Sequence, residues 1–286
     1  MSKVSDLDLT TPIRVISLKD SLERQNHIKM QLDCLGLKYS VFSAVDGDLL
    51  STDEIKEAYD GAKALSIRGK HLGPGEIGVA LSHISLCQEV VDHQLEAMLV
   101  LEDDVKIDPA VQSVVKQAAQ FPSDWDVVFL GCDSRRVFLK SVPGGTVFSD
   151  GFELTQARGT GPVKGAYAYM ISYSGAKKLL ESTAKFCKPI DSYTGDNRVL
   201  NIYVFRPNII SHPNSFPSIT SLKLQKLLRL QNARAIAGEE SEHYYKLQKP
   251  DLCTMTAAFR KLKSSVEYRL VKLCLTVFDR LDSKFR

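Results

Sequence analysis

The residues with the plainest chemistry are Glu102, Asp103 and Asp104, three carboxylates in a row after the apolar run Met98-Leu99-Val100-Leu101. So short and abruptly ended a run reads as a buried strand. In open α/β sheets, ligands bind beyond the carboxyl ends of the strands. Crowded carboxylates repel one another unless a cation lies among them. Hard divalent ions such as Mg2+ and Mn2+ take oxygen ligands and share them with substrate phosphates. Alternate residues of an extended segment point the same way, so Glu102 and Asp104 are set to face one ion while Asp103 faces elsewhere. The competing reading is that the acids cap the helix that follows, where negative charge is welcome. Asp108, before Pro109, suits that task better. The same shape recurs at 125–130, an apolar run that ends in Gly131-Cys132-Asp133.

Such acids need a sheet to carry them. Residues 13–18, opened by Pro12, form a first strand, and 21–34 a polar helix with Asp20 or Ser21 as N-cap and Gly36 as its stop. Residues 38–43 form a second strand that ends in the turn Ala44-Val45-Asp46-Gly47. Strand, helix and strand in about 30 residues is the size of a βαβ unit and implies a parallel sheet. A loop rich in glycine and basic residues, 68–75, leads into a helix over 76–93 with Ile77, Ala80, Leu81, Ile84 and Val91 at helical spacing. A polar, Gly-rich loop with room for a hairpin covers 142–165. A strand at 166–172, a helix at 174–185, a short helical piece at 196–201 and a last strand at 202–205 follow. Beyond about Ser218 the strand-like runs give way to basic helical sequence. The expectation is α/β, with a mostly parallel central sheet in a domain of residues 1–220 and a basic helical region at 221–286.

Composition sets bounds on function. A chain of 286 residues with 44% hydrophobic content can bury a sizeable core. A net charge of +3 is too mild to argue for nucleic acid as a partner. Cys34, Cys87, Cys132, Cys187, Cys253 and Cys274 are far apart, with no zinc-type spacing, which suits reduced thiols in a cytosolic protein. The polar start MSKVSDLDLTTP has no apolar core of a signal peptide. No stretch approaches the ~18 uninterrupted apolar residues of a membrane span.

Taken in order, several segments resemble glycosyltransferase family 25, the lipooligosaccharide galactosyltransferase group. They are Ile16-Ser17-Leu18 with Arg24, Ala44-Val45-Asp46-Gly47, Gly75-Glu76-Ile77-Gly78-Val79-Ala80-Leu81-Ser82-His83 and Leu101-Glu102-Asp103-Asp104. Gly165-Ala166-Tyr167-Ala168-Tyr169-Met170-Ile171-Ser172, Gly175-Ala176-Lys177-Lys178-Leu179 and Pro189-Ile190-Asp191 complete the series, which covers about residues 12–220. The resemblance implies a GT-A-like nucleotide-sugar fold, a UDP-sugar donor and inversion at the anomeric carbon. It also implies a Mn2+ or Mg2+ site in which Asp104 is the main ligand and Glu102 supports it or contacts ribose. His212, after the last strand, is either a further ligand or an ordinary loop histidine. Ser17, Leu18 and Lys19, with Arg24, Asp46, Glu76, Ser82, His83 and Asp103, are the expected donor contacts. His83 reads equally well as a satisfied histidine in a packed helix. Inversion needs a general base to take the acceptor's proton. Asp191 leads, being in a shared motif, with Asp133 next and Asp196 third; each also fits an N-cap or turn.

In the C-terminal region, 222–236 interleaves Lys223, Lys226, Arg229 and Arg234 with leucines and holds no acid, and 259–286 carries eight Lys or Arg against three acids. Both stretches read as amphipathic helices with a cationic face. Such helices bind an anionic membrane surface, or pack as a subdomain with their lysines solvated. A lipid-linked oligosaccharide acceptor favours the first, and with it a cytoplasmic protein peripheral to the inner membrane. The runner-up is a family member that glycosylates hydroxylysine in protein; the rival outside the enzymes is a non-catalytic nucleotide-sugar-binding module.

Overall fold

The computed structural model describes residues 11–133, 138–141, 151–158 and 161–212. The expected amphipathic helices at 222–236 and 259–286, the 221–286 region as a whole and much of the 142–165 loop lie outside these residues.

The chain opens with β1 (Ile13–Ser17), α1 (Leu22–Cys34) and β2 (Ser40–Ser43). β1 and β2 pair in parallel, Val15 opposite Val41, which is the βαβ unit expected from the spacing. Two short helices follow, α2 (Thr52–Ala58) and α3 (Gly61–Arg68), then α4 (Pro74–Asp92) and β3 (Ala97–Glu102). Next come β4 (Lys106–Ile107), α5 (Val111–Lys116), β5 (Val127–Phe129) and the hairpin of β6 (Phe138–Ser141) and β7 (Glu153–Arg158). β8 (Ala168–Ser172), α6 (Tyr173–Thr183), α7 (Asp191–Thr194), β9 (Ile202–Arg206) and β10 (Ile210–Ser211) complete the order.

Eight of the strands form one sheet in the order β2-β1-β3-β8-β5-β9-β7-β6. β1, β2, β3, β5, β6 and β9 run one way, and β7 and β8 the other. The α/β class with a largely parallel sheet is thus as the sequence predicts. β3 is buried on both faces. Met98 and Val100 join the core under α4 and α6, and Leu99 and Leu101 join the one under α1 and α5. Burial on both faces is why its sequence runs apolar without alternation.

Two features position the site. β8 runs against its neighbours, so the turn that enters it, at Gly165 with φ +98°, lies at the same end of the sheet as the C-termini of β1, β3 and β5. The two-stranded ribbon of β4 and β10, with Ser211 opposite Lys106, ties the chain after β9 to the segment just past the acids. On the outer edge, α4 starts hard against the Ala44–Gly47 turn. A Cβ on Gly78 would lie 2.4 Å from the Val45 carbonyl oxygen, and one on Gly47 1.7 Å from that of Pro74, so neither position accepts a side chain without moving the backbone.

The structure corrects two expectations. The helical piece expected at 196–201 is a turn, in which Asp196 carbonyl oxygen accepts the N–H groups of Val199 and Leu200, and the helix sits earlier, at Asp191–Thr194. The Asp196 carboxylate binds the Arg198 N–H at 3.1 Å, the local bonding that turns an aspartate away from helix. α2 and α3 went unread in a stretch assigned no element, although Ser51 and Glu54 form a capping box at the start of α2. No helix among the described residues is long and apolar enough to cross a membrane.

Candidate active site

The site is built from the C-terminal ends of β1 and β3. Their register sets Ile16 opposite Glu102, so Ser17 falls beside Asp103 and its hydroxyl donates to Asp103 Oδ2 at 2.6 Å. α1 crosses behind. Arg24 Nη1 lies 3.1 Å from Asp103 Oδ1 and 2.8 Å from Asp104 Oδ2, and all three side chains are buried. Two helical turns further on, Gln31 donates to the Val105 carbonyl oxygen and accepts the Ile107 N–H, both at 2.9 Å. α1 therefore grips the acidic segment and the ribbon strand after it through side chains on one face.

The two neighbouring aspartates sit in opposite electrostatic situations. Burial pushes the Asp103 carboxyl above its ordinary value, with the Ser17 hydroxyl and Arg24 acting against it. Burial acts on Asp104 too, but the His212 ring and the Arg24 guanidinium beside it prevail and hold it below the ordinary value. His212 is raised in turn, chiefly by Asp104.

His212 arrives because the ribbon delivers it. Ile209 and Ile210 hang by their N–H groups on the Leu130 carbonyl oxygen at 2.8 and 3.0 Å; Ser211 pairs with Lys106. The next residue is then level with the acids, and His212 Nε2 stands 3.2 Å from Asp104 Oδ1. That oxygen is buried and accepts no hydrogen bond of good geometry. Glu102, Asp104 and His212 each bring one ligand atom within 4.8 Å of the others. Two carboxylate oxygens and an imidazole nitrogen around one point, one oxygen without a hydrogen bond of good geometry, fit a divalent cation such as Mn2+ or Mg2+. Asp103 is turned inward to Ser17 and Arg24.

A second group of residues lies alongside. Asp133 donates its N–H to the Lys164 carbonyl oxygen at 2.9 Å, and Lys164 Nζ lies 3.3 Å from Asp191 Oδ2 and 3.2 Å from Ser192 Oγ. Tyr167 spans the gap: its ring centroid is 5.5 Å from that of His212. Burial and then the nearby Asp133 push its phenol well up. Asp133 and Asp191 thus flank the same loop, Asp133 on the His212 side.

The other expected donor contacts are spread over the elements around this edge. Leu18 carbonyl oxygen accepts Gln25 Nε2 at 2.9 Å, and Lys19 is exposed. Asp46 Oδ1 accepts the Asp48 N–H at 3.1 Å. Glu76 caps α4 by accepting the Gly73 N–H at 2.9 Å. Ser82 is buried and clamps α4 to the β2 turn, accepting the Val45 N–H at 2.9 Å and donating to the Gly78 carbonyl oxygen at 2.8 Å. His83 is wholly buried against Tyr169, Nδ1 to Oη 2.9 Å. Lys164, Tyr167 and Tyr169 received no role from the sequence. A tyrosine in a central strand, whose hydroxyl must find a partner in the core, is the signal that pointed to Tyr169.

An acid-ended strand, a buried arginine behind it and a histidine brought alongside give this α/β protein a group that could hold a metal ion at the carboxyl edge of its sheet, where ligands bind in such folds. Over residues 10–194 the sequence matches glycosyltransferase family 25 (LPS biosynthesis protein), and the chain belongs to that family. His212 lies beyond the matched residues. A glycosyltransferase 25 family member of Aedes aegypti is 32% identical over 190 residues, 63% of this chain and 30% of that protein. Procollagen galactosyltransferase 2 of Homo sapiens is 30% identical over 178 residues, 59% of this chain and 27% of that protein. The chain spans about three-tenths of the length of these curated relatives. Among solved structures, a glycosyltransferase involved in glycosylation of the major capsid of PBCV-1 is similar at TM-score 0.40 and 10% identity, covering 72% of this chain and 94% of that one.

Proposed function

We propose that this chain is a metal-dependent hexosyltransferase that moves galactose from UDP-galactose to a lipooligosaccharide or lipopolysaccharide core sugar, with inversion at the anomeric carbon. The observation that carries the reading is the convergence of Glu102, Asp104 and His212 on one point, with Asp104 Oδ1 buried, 3.2 Å from the His212 ring and without a hydrogen bond of good geometry. Those three residues would hold Mn2+ or Mg2+, which when bound neutralises the charge that gathers on a departing diphosphate.

The chain's own groups account for the rest. Arg24 compensates the charge of Asp103 and Asp104 from behind, so Asp104 presents an ionised oxygen outward. As the acceptor oxygen bonds to the anomeric carbon and the bond to the diphosphate breaks, the acceptor's proton passes to a carboxylate. Asp191, oriented by Lys164, is the first choice for that base, and Asp133 the second. Ser17, Leu18, Lys19, Asp46 and the start of α4 border the nucleoside. The basic stretches at 222–236 and 259–286 hold the enzyme on the anionic inner face of the cytoplasmic membrane, where a lipid-linked acceptor lies.

The names of the relatives favour a second reading, in which the acceptor is hydroxylysine in protein. The purified full chain with UDP-galactose is therefore offered a truncated lipooligosaccharide or a hydroxylysine-containing collagen peptide, with Mn2+ or with EDTA, and UDP release is followed. Release with the oligosaccharide that EDTA and Asp104→Ala both abolish is expected. Release with the peptide alone would transfer the reading to a protein acceptor, and activity that persists in EDTA would remove the cation from it. UDP binding without release under any condition would point to a binding module.

A further inference from the structure

His83 is wholly buried beside the site, and its Nε2 has no hydrogen-bond partner. Burying an unsatisfied polar group costs stability, so such an atom asks for an explanation. On its other side Nδ1 lies 2.9 Å from Tyr169 Oη. Tyr169 sits fully buried in the middle of β8, and burial pushes its phenol well up, so it keeps its hydrogen. Among the described residues His83 is the hydrogen-bond partner of that hydroxyl, while Cys87 and Glu102 act on it through charge. The hydroxyl hydrogen therefore goes to Nδ1, which leaves the ring hydrogen on Nε2. The reverse arrangement would leave both the phenol hydrogen and Nε2 without partners in the core. Glu102 Oε1 stands 3.7 Å from Nε2, just outside hydrogen-bond range. Glu102 is partly exposed at its strand end, so its carboxylate has room to close that gap, whereas His83, locked in α4 and stacked on Tyr169, does not.

We infer that His83, its ring set by Tyr169, is a positioning residue that donates from Nε2–H to Glu102 and fixes which carboxylate oxygen faces Asp104 and His212. The inference rests on the cation reading above. It deepens it by giving Glu102 an oriented, hydrogen-bonded ligand geometry, the role that partners behind a metal ligand play elsewhere. It also explains why a helix packed on the sheet carries a histidine where an apolar residue would pack without an orphaned nitrogen.

The test uses the full chain with Mn2+ alone, free ion being read by its paramagnetic resonance signal. His83→Phe is expected to weaken Mn2+ binding by about 10- to 100-fold, the usual loss when such a partner is removed. His83→Gln, whose amide nitrogen reaches the Nε2 position, is expected to keep most of the affinity. In a Glu102→Gln background, His83→Phe should cause no further loss, because its effect runs through that carboxylate. Wild-type affinity in His83→Phe, or an undiminished loss in the Glu102→Gln background, overturns the inference and leaves the cation site standing. Failure of the wild-type chain to bind Mn2+, or binding that Asp104→Ala does not change, removes the cation reading and the inference with it. If His83→Phe does not fold, nitrogen NMR of the wild-type imidazole decides. Hydrogen on Nε2 is expected, and hydrogen on Nδ1 overturns the inference.

Discussion

Arg24 is the residue on which the acidic segment depends for its own stability. It faces two carboxylates at 3.1 and 2.8 Å in a place from which water is nearly excluded. Removing one member of a buried charge group leaves the others uncompensated, which typically costs about 3–5 kcal/mol. Arg24→Met should therefore lower the urea midpoint by that order. Asp103→Asn, which leaves Arg24 still paired with Asp104, should cost markedly less. Equal losses in the two variants would show that Asp103 carries as much of the charge balance as the arginine. An extended segment was expected to carry the acids, but β3 ends at Glu102 and Asp103 and Asp104 lie in the turn that follows, so it is that turn and not strand alternation that sends Asp103 inward. The partners were not legible in the sequence, because Arg24 meets Asp103 across 79 positions of chain and only the packed fold brings them together. The resemblance makes Arg24 and Asp103 donor contacts, and in the structure they bind each other.

At the scale of elements, the ribbon decides whether His212 takes part. The turn after β5 and the end of β9 approach so closely that a Cβ on Gly131 would lie 1.9 Å from the Ile210 carbonyl oxygen and 2.7 Å from the Tyr167 ring. Gly131→Ala should push the ribbon outward, separate His212 from Asp104 and weaken Mn2+ binding about as much as His212→Ala does. Far-ultraviolet circular dichroism should remain close to wild type. The long buried strands and the helices at Leu22–Cys34, Pro74–Asp92 and Tyr173–Thr183 were readable because their patterns are local. β4 and β10 were not, since two residues each give no periodicity and their pairing joins positions 106 and 211. The reversal of β8 was equally invisible. An apolar strand reads the same in either direction, and only its neighbours in the sheet show which way it runs.

For the whole molecule, a cation that binds the folded chain and not the unfolded one must raise its melting temperature. At a free concentration of about 100 times the dissociation constant the gain is roughly 2.7 kcal/mol. A Mn2+ titration followed by thermal denaturation should show this shift in the wild type and lose it in Asp104→Ala. Charge is handled in opposite ways at the two ends of the sheet. At the end away from the site Asp126 is wholly buried and saturated, receiving Lys178 Nζ at 2.6 Å, Ser174 Oγ at 2.5 Å and the Asn201 N–H at 2.8 Å. At the site end Asp104 Oδ1 meets the His212 ring at 3.2 Å without a hydrogen bond of good geometry, beside a second carboxylate. Asp126→Asn should accordingly lower the melting temperature in metal-free buffer, and Glu102→Gln should raise it by relieving repulsion while weakening Mn2+ binding. A laboratory selection for heat resistance alone would thus drift towards a neutral residue at position 102 and leave 104, the ion-pair partner of Arg24, and 126 untouched. A selection for turnover would have to keep all three.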